Sequence, residues 1–339
     1  MANKQIHTAI IGYGLSGKVF HAPFIHTHPG FLLQKIVERH SNESIKQYPY
    51  IETVEDYQNV IQDENIDLII ICTPNTSHYS MVKEGLLAGK HIVIEKPFTP
   101  TSQEADELIQ IAQEQNKKLF VYHNRRWDGD FLSIKKILDE QLLGDIYEYE
   151  AHFDRYAPDL QGNWRDDDIA GGGILYDLGA HLIDQALNLF GIPKKMKTTI
   201  EAQRKNSKVD DYFRLEWEYE KLNVILTAGM FVKELGPRFI LKGSKGVFTK
   251  YGIDPQEDAL KNALMPKGEN WGKERPEFWE KIDFTDGHTQ TIESQAGNYM
   301  AFYDNVYDVI IKHAEMMIKP EEARDVIYII ETSFAQQRQ

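Results

Sequence analysis

Thr8-Ala9-Ile10-Ile11-Gly12-Tyr13-Gly14-Leu15-Ser16-Gly17 decides the fold: an apolar β-type run ends in glycines spaced GxGxxG, and a helix-forming stretch follows. In such a turn the first glycine allows the tight bend and the second lets the backbone approach a pyrophosphate. The third lets the following helix pack closely, with its free N–H groups facing the anion. The spacing therefore predicts a dinucleotide site lined by Gly12, Tyr13, Gly14, Leu15, Ser16 and Gly17. Glu38, at the end of the next strand pattern and about twenty residues on, stands where an acid that binds ribose hydroxyls is expected. Arg39 follows it and could pair with a 2′-phosphate, so NAD and NADP both stay open, with a lean to NADP.

Outward from this turn, apolar runs at 7–12, 31–38, 67–73, 91–95 and 118–122 alternate with helical patterns, notably 77–88 and 102–115, which begin near Ser or Thr. Leu68-Ile69-Ile70-Ile71 and Ile92-Val93-Ile94 are continuously apolar, as strands covered on both faces must be. The alternation predicts an α/β fold with a doubly wound parallel sheet, a Rossmann domain over 1–122. Beyond His123 the pattern changes to polar-alternating stretches at 146–156, 196–205, 211–219 and 222–231, expected as antiparallel strands with one solvated face. Helical patterns at 173–190, 299–317 and 321–334 accompany them, so 123–339 reads as a second α/β domain.

The chain of 339 residues fits two cores, since single cores stop growing near about 250–300 residues. A net charge of −14 argues against nucleic acid as a partner, because neutralising phosphates needs clustered Lys and Arg. The single cysteine, Cys72, excludes an intrachain disulfide and suits a cytoplasmic protein. The N-terminus lacks the pattern of a secretory signal, and no apolar run is long enough for a bilayer, so no membrane partner is expected.

Glu95-Lys96-Pro97 closes the run 91–95, at the carboxyl edge where open α/β sheets place ligands. Within the helical pattern 173–190, Asp177, His181 and Asp184 share a face by their spacing, so acid and imidazole can interact.

Together with the glycine turn, Glu95-Lys96-Pro97 and the Asp-x-x-x-His spacing of Asp177 and His181 resemble the glucose-fructose oxidoreductase, inositol dehydrogenase and MocA (Gfo/Idh/MocA) family. Further matches are Thr73-Pro74-Asn75 with His78, the stretch from His123 to Asp128, Trp164-Arg165, and His21-Ala22-Pro23. These look like the NADP-dependent scyllo-inositol dehydrogenase branch. The resemblance spans essentially the whole chain. It implies a C-terminal α/β domain with a large, mostly antiparallel sheet, often used for oligomer contacts, hence a homodimer or homotetramer.

By the same resemblance Lys96, Asp177 and His181 would be catalytic. Thr73, Pro74, Asn75, His78, Glu95, Lys96, Asn124, Trp164 and Arg165 would line the cofactor, and Arg125 and Asp154 would meet substrate hydroxyls alongside Asp177 and His181. The resemblance implies a cyclic polyol or sugar as substrate, and the residue types suit hydride transfer from a secondary alcohol, because the hydroxyl proton must leave as the carbonyl forms. His181 can accept it, Asp177 can orient the imidazole, and Lys96 can hold the hydroxyl and its developing negative charge.

Blander roles stand beside these. Asp177, His181 and Asp184 could ligate a metal, but no further His or Cys of recognised spacing supports one, so no metal is expected. His21, His26 and His28 read as polar positions around the first helix, with His21 able to face the cofactor. Cys72 reads as a small buried hydrophobe, Glu95 equally as a structural hydrogen-bond acceptor, and Arg125, Arg126 and Trp127 as packing. The alternatives to a polyol dehydrogenase are a non-catalytic NAD(P)-binding sensor and a reductase of a different small molecule, such as an imine or a tetrapyrrole.

Overall fold

The six parallel strands of the first sheet follow from the apolar runs: β1 (Ile6–Ile11), β2 (Phe31–Val37), β3 (Glu52–Val54), β4 (Leu68–Ile71), β5 (His91–Glu95) and β6 (Leu119–Tyr122). The computed structural model describes residues 4–39, 41–160, 162 and 166–337. Strand order is β3-β2-β1-β4-β5-β6, and every neighbouring pair is parallel. The order reverses between β1 and β4, so the crevice at their carboxyl ends, where Gly12 and Thr73 lie, is the place such sheets bind ligands. All four residues of β4 are buried, as the uninterrupted isoleucines require. Edge strand β3, three residues long, carries too little apolar pattern to be seen in the sequence.

The connecting helices follow the expected capping chemistry in one case and depart from it in another. Ser102–Glu114 opens with a full capping box: the Thr101 hydroxyl accepts from Glu104 N, and the Glu104 carboxylate accepts from Thr101 N. At His78–Leu87 the preceding Ser77 caps nothing. Its hydroxyl bonds back to Pro74 O and Thr73 Oγ1, both at 2.8 Å, and tightens the loop after β4.

Packing divides the chain into two compact units that are not two consecutive stretches. The first comprises Met1–Asn124, Gln256–Trp271 and Asn298–Arg324; the second comprises Arg125–Pro255, Gly272–Gly297 and Asp325–Gln339. The late helix Met300–Lys312, expected with the second domain, joins the first unit because its aromatics pack there. Tyr303 stacks on Phe24 with ring centroids 5.7 Å apart, and Phe302 meets Tyr122 edge-on at 4.8 Å.

The second unit is built on an eight-stranded sheet in the order β14-β13-β12-β11-β7-β10-β9-β8. Its strands are β7 (Ile146–His152), β8 (Lys195–Glu201), β9 (Tyr212–Glu218), β10 (Asn223–Gly229), β11 (Phe239–Gly243), β12 (Gly246–Lys250), β13 (Glu280–Phe284) and β14 (Thr289–Ile292). All pairs are antiparallel except β7 with β10. One face is apolar by strict alternation, with Phe213, Leu215 and Trp217 on β9, Val224, Leu226 and Ala228 on β10, and Phe239 and Leu241 on β11. The other face carries Glu148, Glu150 and Lys242, which form ion pairs across β7 and β11. No helix among the described residues is long and apolar enough to cross a membrane.

Candidate active site

The glycine turn shows the division of labour its spacing implies. Gly12 has φ +98°, a conformation that disfavours any side chain, and a Cβ there would stand 3.0 Å from Cys72 O. A Cβ on Gly17 would lie 2.1 Å from Gly12 O, so the turn and the helix start are in direct contact. At Gly14 an added Cβ meets nothing within 4 Å. The middle glycine therefore answers no internal packing need, and its open backbone fits a pyrophosphate laid against it. Leu15 beside it is exposed, and the Tyr13 hydroxyl bonds Gln47 Oε1 at 3.0 Å. After Ser16 the chain winds from Gly17 to His21 as a wide π-type turn, a form that recurs at functional sites.

Glu38 is buried and its carboxylate is engaged within the protein. It accepts from the Ser41 hydroxyl, from Glu43 N at 3.1 Å, and from Ser44 N and Oγ at 3.1 and 2.6 Å, closing the start of the helix Glu43–Gln47. Burial pushes this carboxyl up, but the hydrogen bonds from Ser41 and Ser44 outweigh it and hold it below the ordinary range. Arg39 next to it is exposed and has no ion pair among the described residues.

In the loop after β4, Thr73 and Pro74 precede a 3₁₀ turn, Asn75–Ser77, in which Asn75 is buried. His78 is a tie between loops: its ring meets Thr73 O at 3.0 Å and Pro97 O at 2.9 Å, joining the end of β4 to the end of β5. Lys96 follows β5, with a cis peptide to Pro97, and its backbone N–H donates to the side chain of Glu95 at 3.0 Å. Cys72 is disfavoured as a nucleophile: burial, then the negative charge of Glu95, pushes its thiol well up. Asn124 is buried and closes this stretch of the first unit.

The second unit holds the other candidates. Asp177 lies in a π-type turn, Leu175–Gly179, which runs into the helix Ala180–Phe190 carrying His181, so the two stand four residues apart along one winding. The turn is anchored by Asp210, whose Oδ2 accepts from Leu175 N at 2.7 Å. Gly173 leads into the turn with φ +86°, and a Cβ there would overlap Asp210 Oδ1 at 1.9 Å. His181 is buried, its ring centroid 6.3 Å from that of Phe153.

Arg125 donates to Asp128 at 3.1 Å and its guanidinium lies 5.0 Å from the Phe153 ring. Arg126 grips Asp184 through two hydrogen bonds, Nε to Oδ2 at 2.9 Å and Nη2 to Oδ1 at 2.7 Å, while Gln185 holds Arg125 O at 2.9 Å. The turn Asn124–Trp127 is thereby laced to the helix that bears His181. Asp154 accepts from Gly229 N at 3.0 Å and lies 3.4 Å from His152 Nδ1. Lys96 belongs to the first unit, and Asp177, His181, Arg125 and Asp154 to the second. Trp164 and Arg165 lie outside the described residues.

Among the described residues no group of three or more His, Cys, Asp or Glu could hold a metal ion. Asp184 is engaged with Arg126. His21, His26 and His28 turn to different partners: Glu95 and Tyr303 for the first, the Tyr50 hydroxyl for the second, and Gly30 N with Asp304 for the third.

Residues 6–123 match the NAD-binding Rossmann fold of an oxidoreductase family, and residues 135–339 match the C-terminal α/β domain of the same family. The chain belongs to the Gfo/Idh/MocA oxidoreductase family. Among its members, scyllo-inositol 2-dehydrogenase (NADP(+)) of Bacillus subtilis is 41% identical over 97% of this chain and 92% of its own length. The oxidoreductase YdgJ of Escherichia coli is 38% identical over 96% and 95%. The solved structure of the oxidoreductase YvaA from Bacillus subtilis superposes with a TM-score of 0.96 at 40% identity, covering 99% of this chain and 97% of that one. Residues 6–123 are thus the NAD(P)-binding Rossmann domain of this Gfo/Idh/MocA protein, and the glycine turn described above lies within them.

Two residues of these sites were out of reach of the sequence. Asp210 precedes a strand 33 positions after Asp177, and Tyr303 reaches the glycine turn's neighbour His21 from 282 positions away. No local spacing announces either.

Proposed function

We propose that this protein is an NADP-dependent dehydrogenase that moves hydride between the cofactor and a secondary hydroxyl carbon of a cyclic polyol or sugar, inositol-like in shape. The observation that carries this reading is the similarity along nearly the whole chain to a scyllo-inositol 2-dehydrogenase (NADP(+)), in a sequence that has Lys96, Asp177 and His181 at the family's motif positions. Bound nicotinamide supplies the hydride acceptor or donor. His181 takes the hydroxyl proton as the carbonyl forms, and Asp177, one turn earlier, orients the imidazole. The Lys96 ammonium holds the hydroxyl and stabilises the charge that develops on its oxygen. Arg125 and Asp154 bind neighbouring hydroxyls. Gly12 to Gly17, Thr73, Pro74, Asn75 and Asn124 hold the dinucleotide, with His78 and Glu95 shaping those loops.

The NADP preference has its own support. Each oxygen of Glu38 already accepts two hydrogen bonds from within the protein, so ribose hydroxyls would compete with a filled carboxylate. Arg39 is left to meet a 2′-phosphate. A homodimer or homotetramer belongs to the same proposal.

A panel of inositols and sugars, assayed with NADP and NAD separately by nicotinamide absorbance, tests the substrate class. Turnover of at least one cyclic polyol, faster with NADP, is expected. Lys96→Met and His181→Ala should each lower kcat by about 100-fold or more while cofactor affinity stays near that of the parent. Cofactor binding with no turnover of any polyol would point to a sensor, and unchanged kcat in both variants would remove these residues from the mechanism.

A further inference from the structure

Four side chains, from four separate elements of the first unit, form one chain of hydrogen bonds that runs from the part-buried Ser16 and Glu95 to the fully buried His21 and Tyr303. Glu95, at the end of β5, accepts on Oε1 from the Ser16 hydroxyl of the glycine turn and from His21 Nε2 at 2.9 Å. On Oε2 it accepts from the backbone N–H of Lys96 at 3.0 Å. His21 Nδ1 meets the Tyr303 hydroxyl, on the helix Met300–Lys312, at 2.5 Å.

The hydrogens can be assigned by donor accounting. A carboxylate only accepts, so His21 presents N–H from Nε2. Burial pushes the Tyr303 hydroxyl well up, so it keeps its hydrogen and donates to Nδ1. His21 and Tyr303 are fully buried, and the His21 ring also packs against Tyr122 with centroids 4.5 Å apart. Burial pushes the Glu95 carboxyl up, yet the hydrogen bonds from His21 and the Ser16 hydroxyl and the charge of Lys96 together bring it below its ordinary value. Without His21 one oxygen of a carboxylate in this setting would lose its strongest partner, an arrangement that drives such a group to rotate or take up a proton. A protonated Glu95 would offer a donor where Ser16 and Lys96 N both need an acceptor.

We infer that His21 is a positioning residue acting through Glu95, which with one carboxylate sets both Ser16 in the cofactor turn and the backbone of Lys96, while Tyr303 fixes the imidazole. The wide turn Gly17–His21 delivers the histidine to this point. The inference rests on the glycine turn as the cofactor site and on Lys96 as a catalytic group. Its consequence is a coupling: disturbing the carboxylate loosens dinucleotide binding and slows turnover together, without weakening the hold on substrate.

The test uses the full-length chain with His21→Leu, His21→Gln, Glu95→Gln, Tyr303→Phe and the double variant His21→Leu/Glu95→Gln. NADPH affinity is read by fluorescence titration, kcat and KM on the best polyol of the panel, and folding by thermal melting. His21→Leu and Glu95→Gln should each weaken NADPH binding and lower kcat by about tenfold, with polyol KM within about twofold. His21→Gln, whose amide can still donate to Glu95, should recover most of both losses. Because both residues act through one link, the double variant should be no worse than the worse single variant. Parental NADPH affinity and kcat in a folded His21→Leu, or losses that multiply in the double variant, would overturn the inference. If His21→Leu does not fold, His21→Gln and Tyr303→Phe decide: Tyr303→Phe is expected to weaken NADPH binding more than His21→Gln does, and equality of Tyr303→Phe with the parent overturns the relay. Failure of the proposed function reads differently, as no polyol turnover or an unimpaired Lys96→Met, and leaves the NADPH titrations to judge the relay alone.

Discussion

Asp210 shows how a single carboxyl can shape both stability and a site. Burial pushes it up to about 6, against the opposing pull of the Leu175 N–H. A carboxyl raised in the folded state binds its proton more tightly there than in the unfolded chain. Its stabilising contribution is therefore complete below about pH 4 and is lost as pH rises through about 6. That rise corresponds to roughly 3 kcal/mol. Asp210→Asn keeps an acceptor for Leu175 N and cannot ionise. Denaturant unfolding across pH 4 to 7 should show a decline in the parent, and that part of the decline should be absent from the variant. At the same scale, Arg39→Ala should raise KM for NADP by about tenfold and leave NAD nearly unchanged, since in the proposed site its exposed guanidinium would meet only the 2′-phosphate. Equal effects on both cofactors would deny Arg39 that role.

The elements add constraints no residue carries alone. In the glycine turn, Gly17→Ala must shift backbone, because its Cβ would fall 2.1 Å from Gly12 O, whereas Gly14→Ala meets no protein atom within 4 Å. Gly14→Ala should keep the parental melting temperature and lose cofactor affinity, while Gly17→Ala should lose both; calorimetry beside cofactor titration separates the two. The helix Ala180–Phe190 is fastened by the Arg126–Asp184 pair, with both side chains buried. Removing one partner leaves an uncompensated charge, so Arg126→Ala should cost about 3–5 kcal/mol of unfolding free energy. Arg126→Lys should rescue only part of this, since an ammonium cannot make the paired guanidinium contact.

At the scale of the whole chain, the return of Met300–Lys312 to the first unit matters most. Phe24, Phe31 and Tyr122 bury against Tyr303 and Phe302, so a fragment of residues 1–124 would expose aromatic surface that the native unit covers. Such a fragment is expected to retain far-UV dichroism, bind a hydrophobic dye and lack a sharp thermal transition. A cooperative transition would show that the Rossmann stretch is stable without its C-terminal helix.

The amino-acid sequence by itself determined the parallel sheet, its crevice and the class of ligand, because apolar runs, glycine spacing and motif residues are local signals governed by strand period and backbone freedom. Its motif resemblance is what puts Lys96, Asp177 and His181 forward as the proposed catalytic positions. Short edge strands such as β3, and the strands β11 to β14, were too brief or too irregular in pattern to be read. Only the tertiary structure decided that Glu38 closes the next helix, that His78 ties two loops and that Asp184 belongs to Arg126. It alone brought His21, Glu95 and Tyr303 into one hydrogen-bonded chain. The reason is physical: a buried polar group must find its partner wherever the fold supplies one, and that partner can lie hundreds of residues away along the chain.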